Sequence, residues 1–171
     1  MMKRALCLVV CVTLWAASAW AQDSGPNPSQ SVTYYVNFIK ETTTQLAQVH
    51  ELLEQEKKAP QYPYTDQYVF YSDLAARLDQ TTTLLLDLCD LYYIYHRATY
   101  CFAKEEKNYL LSRVENTAGT LKNLAGRPFV VDTTANEGGK AKMQAEKAAF
   151  ADRMQRLLTF IPTTLGGIKR D

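Results

Sequence analysis

The sequence predicts an all-α protein, an antiparallel up-and-down four-helix bundle that follows a cleaved signal peptide. Three observations predict it. A basic, apolar start ends in a small-residue cleavage pattern, a strict heptad runs through the middle of the chain, and two neighbouring apolar stripes are out of phase with each other.

Lys3 and Arg4 precede the apolar run Ala5 to Ala17, which is too short and too close to the N-terminus for an ordinary spanning helix. Ala19 and Ala21 supply the small residues that a signal peptidase requires, so residues 1–21 are expected to leave and Gln22 to begin the mature chain. Leu8, Val9 and Val10 before Cys11 do not fit a lipid-modified cysteine. Removal takes both tryptophans and leaves all 11 tyrosines; Lys plus Arg falls from 19 to 17 against 18 Asp plus Glu, moving the net charge from +1 to −1. That balance gives no reason to expect nucleic acid or an anionic membrane surface as partner. No later stretch is apolar for long enough to span a membrane, so no stable insertion is expected after signal cleavage. The expected location is periplasmic or secreted. The absence of an Asn-x-Ser/Thr acceptor suits a periplasm.

Residues 22–30, with Gly25, Pro26 and Pro28, read as a flexible leader, and Ser31 as the cap of a first helix over 31–58. Its expected buried stripe is Val32, Tyr35, Ile39, Thr42, Leu46, Val49 and Leu53, and Pro60 and Pro63 end it. Residues 64–118 contain neither glycine nor proline, and as one helix they would extend on the order of 80 Å. The first part carries the heptad Leu74, Leu78, Thr81, Leu85, Leu88, Tyr92 and Tyr95. The later part carries Leu110, Val114, Thr117, Leu121 and Leu124 in a different phase. Either the chain turns between about Tyr95 and Lys107, or one helix changes its winding there. Compactness favours the turn, giving helices over about 66–96 and 100–124. Gly126 ends the third helix, Phe129 to Val131 pin a connector to the core, and a fourth helix over 139–161 stops at Pro162. Residues 31–161 form one domain, and 162–171 a loose tail. On the fourth helix Met143, Phe150, Met154, Leu157, Leu158 and Ile161 face inward, Arg153 and Arg156 outward.

Cys89 and Cys101 survive processing into an oxidising compartment, and a structural disulfide between them is one reading. It requires the turn, since on one helix they would sit about 18 Å apart and a disulfide needs α-carbons within roughly 7 Å. They lack the Cys-x-x-Cys spacing of a redox pair.

No catalytic residue and no metal ligand set is expected. Di-iron bundles use Glu-x-x-His, whereas Ala47 precedes His50 and Tyr93 precedes His96 at that spacing. With helices one and two antiparallel, paired positions sum to about 124, which sets the histidines roughly 33 Å apart, too far for a shared haem. Asp87 and Asp90 join Asp73, Arg77, Gln80, Thr83 and Arg97 on a polar stripe opposite the heptad, which reads as a solvated face. No hydrolase elbow, P-loop or dinucleotide motif occurs.

Tyrosines cluster around the first link (Tyr62, Tyr64, Tyr68, Tyr71) and the proposed turn (Tyr92, Tyr93, Tyr95, Tyr100). The second cluster, joined by His96 and Arg97, is the expected binding site, because tyrosine buries a ring while keeping a wet hydroxyl. The expected function is that of a non-catalytic, protein-binding accessory or adaptor for another envelope or secreted protein, with a homo-oligomer also compatible with the long stripes. The alternative is a small-ligand carrier with a tyrosine-lined pocket between helices; no cofactor is specified.

Overall fold

The computed structural model describes residues 28–98, 101–131 and 140–165, with side chains over 31–95, 101–131 and 140–162. The expected signal peptide, the part of the expected leader before Pro28, the side chains of His96 and Arg97, all of Tyr100 and the chain beyond Leu165 lie outside the described residues. Among them the chain is all-helical: α1 spans Pro28–Glu56, α2 Asp66–Ala98, α3 Lys104–Gly126 and α4 Lys140–Leu165.

Local chemistry places most of these ends. Ser31 does not cap α1; it lies inside the helix, buried, because Pro28 opens the first turn, where a missing amide costs nothing. Thr65 caps α2, its hydroxyl accepting from the Tyr68 amide at 3.1 Å. At α3 the Ala103 amide donates to the Glu106 carboxylate at 2.8 Å, half of a capping box, Ala103 having no side-chain acceptor to complete it. The third helix ends at Gly126 as expected, but not through a left-handed glycine cap. Arg127 is extended, the conformation imposed on a residue that precedes proline. Pro162 does not stop α4, which runs one further turn to Leu165. A proline in the last described turn of the helix disturbs little of the helix before it.

The four helices form a bundle in which α1 packs on α2, α2 on α3, α3 on α4, and α4 on both α1 and α2. Tyr35 meets Tyr92 and Glu56 meets Thr65, so paired positions on the first two helices sum to near the expected 124. Between α1 and α4, Tyr34 stacks on Phe160, Glu41 pairs with Arg156 and Gln45 bonds to Arg153.

On α1 and α2 the buried residues include series at alternating steps of three and four. On α2 the heptad expected from sequence, Leu74, Leu78, Thr81, Leu85, Leu88, Tyr92 and Tyr95, is buried throughout, and Tyr71 extends it. Such spacing lets side chains interlock at the shallow crossing angle of left-handed bundles. On α1 the phase differs from expectation: Ser31, Tyr35, Phe38, Thr42, Gln45, Val49 and Leu52 are buried, while Val32, Ile39 and Leu46 flank them. The core of α1 is thus partly polar. Thr42, Thr81 and Thr117 enter the interior by donating to the carbonyls of Phe38, Arg77 and Arg113 four residues earlier, which satisfies each hydroxyl within its own helix.

Two arginines expected on solvated faces are instead buried. Arg153 donates to Gln45 Oε1 at 2.6 Å, and Gln45 donates in turn to Glu146 Oε2 at 2.8 Å and to the Glu146 carbonyl at 3.1 Å. Burial pulls the Arg153 guanidinium down, and Glu41 at 3.6 Å opposes the change. Arg77 is 1% exposed. Its Nη1 donates to the Arg127 carbonyl (2.6 Å), and Nη2 to the Pro128 carbonyl (2.7 Å) and the Asp73 carboxylate (2.9 Å). The Phe129 ring lies 4.0 Å below its guanidinium and packs against Phe70 and Phe150. The connector is therefore held at Phe129 as expected, with Arg77 as the clasp, whereas Val130 faces solvent.

Candidate functional site

The break between α2 and α3 falls at Ala98 to Lys104, inside the window set by the two out-of-phase stripes. It brings the end of α2 beside the beginning of α3. Electrostatic coupling between Asp87 and Arg113 marks the two helices as neighbours across this seam.

Of the expected binding residues, Tyr92 and Tyr95 point inward. Tyr92 is buried edge-on against Tyr35, and burial pushes its phenol up, opposed by the nearby Ser31 hydroxyl. Ser31 Oγ itself makes no hydrogen bond of ordinary geometry. These two rings fill the core and so do not line a pocket. Tyr93 and Ile94, one and two residues further round α2 from Tyr92, emerge on the outside and are 50% and 42% exposed. The helical step of about 100° per residue separates neighbours in sequence that a cluster in the one-dimensional sequence appears to unite.

Two aromatic residues not singled out by sequence complete this end. Tyr109, 61% exposed, and Phe102 line an open cleft of about 360 Å³ with Glu105, Glu106 and Leu110. Tyr109 lies on the first turns of α3 and Phe102 in the link just before it, so the sequence carried no periodic signal that joins them. Arg113 Nη1 donates to the Tyr109 hydroxyl at 3.4 Å, which orients the ring without covering it. The floor is apolar and the rim acidic.

Cys89 and Cys101 are free thiols. The chain reverses between them, as a bond would require, but not midway. Cys89 lies nine residues before the end of α2, about 14 Å along its axis, whereas Cys101 sits exposed in the link. Burial pushes the Cys89 thiol up, with Asp90 adding to the effect.

Around the first link Tyr64 is exposed, Tyr62 packs edge-on against Tyr68, and Tyr71 is buried, its phenol pushed up to about 12 by burial and by Glu146 and Glu56. His50 is exposed on α1 and Met143 is in the core. Asp87 and Asp90 are exposed, as a solvated face predicts; Asp73 is not, being held by Arg77 and Arg127. Among the described residues no three His, Cys, Asp or Glu side chains gather as a metal would need, and no helix is long and apolar enough to cross a membrane.

No family model, curated protein or solved structure matches the chain. The functional reading therefore rests on the residues alone.

Proposed function

We propose that the protein is exported, loses residues 1–21, folds as an antiparallel up-and-down bundle, and acts without catalysis as an accessory or adaptor. In this reading it binds another envelope or secreted protein through the α2–α3 end. One observation carries the proposal: Tyr109 is 61% exposed on an apolar cleft and Ile94 is 42% exposed on α2, although the heptad of α2 already supplies a filled interior. Exposed aromatic rings on rigid helices offer large contact area at low entropic cost, the pattern of protein-binding hot spots. The acidic rim, Glu105 and Glu106, suits a partner that presents basic residues around an apolar anchor.

The test is affinity capture from the native extracellular or envelope fraction with the wild-type protein and with the double variant I94D/Y109D. The proposal expects a partner retained by the wild type and lost by a variant of unchanged helicity. Nothing retained above background, or a partner retained equally by both, overturns it.

A further inference from the structure

The two buried arginines differ in how they are satisfied. Arg77 spends every guanidinium nitrogen on protein acceptors, Nε and Nη2 on the Asp73 carboxylate, Nη2 also on the Pro128 carbonyl and Nη1 on the Arg127 carbonyl. Arg153, 9% exposed, spends only Nη1, on Gln45 Oε1. Its Nε is enclosed without a hydrogen bond, Glu41 Oε2 standing 3.6 Å away, too far for one. Its Nη2 donates to none of the described residues and is not enclosed. A cation withdrawn from water is costly while its donors stay unmet, so the open edge of this guanidinium points to an acceptor that the chain itself does not supply.

Arg153 lines a cleft of about 410 Å³ on the α1–α4 seam, together with Lys40, Glu41, Gln45 and Glu146. Gln45, 3% exposed, ties the floor together. Its side-chain oxygen accepts from Arg153 and its nitrogen donates to Glu146 Oε2, so the two ends of one amide hold a cation and an anion close to each other. The Lys40 ammonium makes no ion pair with another described residue. The Oε1 atoms of Glu41 and Glu146 accept from none of the described residues. The cleft thus offers unspent positive donors and unspent negative acceptors within the reach of one small molecule. A plain anion would meet two carboxylates there and a plain cation two basic groups, while a neutral ligand would leave both signs unmatched. A quaternary ammonium calls for an aromatic cage, and no ring lines the cleft. We infer that the α1–α4 cleft binds a free α-amino acid. Its carboxylate lies against Arg153 Nη2 and Lys40, and its ammonium donates to Glu41 and Glu146. The remaining walls are Thr44, Gln48 and Ala149, which suit a short or polar side chain rather than an aromatic one. The site shares no residue with the cleft at the start of α3 and does not depend on what binds there.

The test is a set of thermal melts of the purified protein with each standard amino acid at about 10 mM, followed by titration calorimetry of those that raise the midpoint. The expected result is a saturable rise with one or more amino acids of short or polar side chain. The N-acetyl derivative of such an amino acid lacks the ammonium and its amide lacks the carboxylate, and each binds at least about tenfold more weakly. K40A and E146Q, changes at exposed and half-buried positions, each weaken binding about tenfold while circular dichroism stays that of the wild type. A midpoint unmoved by every amino acid overturns the inference. Equal binding of the acetylated or amidated forms does the same, as does wild-type affinity in both K40A and E146Q.

Discussion

Changing Arg77 to alanine is expected to destabilise the protein by about 3–5 kcal/mol, the usual result of removing one partner from a buried, hydrogen-bonded ion pair. The change strands several groups together. The Arg127 and Pro128 carbonyls lose their donors, Asp73 Oδ2 loses both the Nε and the Nη2 donor, and Phe129 loses the guanidinium above its ring. Lysine recovers only part of the loss, because a single ammonium on a flexible stem cannot hold two carbonyls and a carboxylate in one plane. Asp73 adds a pH signature. Burial pushes its carboxyl up, but Arg77 and Arg127 overcome that and hold it below the ordinary carboxylate range. Its contribution is therefore present above the unfolded carboxylate pKa and disappears as pH falls through the lower folded value. Urea melts of the wild type and R77A at neutral and acid pH check both statements. The gap between the two proteins should narrow in acid, once Asp73 is protonated.

Leu85→Ala and Leu86→Ala should differ sharply although the residues are adjacent. Leu85 is 0% exposed in the α2 heptad and Leu86, one residue on, is 50% exposed. The first change leaves a cavity among packed helices and costs about 2–5 kcal/mol. The second removes surface already half in water and stays below about 1 kcal/mol. Paired thermal melts decide this. Equal effects would mean that α2 does not present the face described.

The contrast between those two leucines marks what was legible in the sequence. The α2 heptad could be read because its apolar residues recur without interruption, and the phase change after it revealed the break at Ala98. The α1 stripe was read about 50° out of true because its interior includes Ser31 and Gln45, which a pattern of apolar residues cannot register. Arg77 and Arg153 were assigned to water for the same reason. Each is buried only because partners distant in sequence satisfy it, the carbonyls after α3 for Arg77 and Gln45 of α1 for Arg153. At the candidate site the tyrosine-rich end of α2 was visible, but its division into core and surface rings depends on helical phase. The contribution of Phe102 and Tyr109 depends on α3 folding back.

That reversal supports the whole functional account, since only a folded-back α3 brings Tyr109 and Phe102 to the end of the bundle that carries Ile94. It is measured most directly as a spin-label distance between cysteines placed at the exposed positions Thr83 and Lys122, with the native cysteines removed. The reversal predicts labels within about 25 Å, two adjacent helices and the label arms, whereas one unbroken helix would separate them by about 58 Å. A distribution centred near the longer value would contradict the bundle and the site built on it.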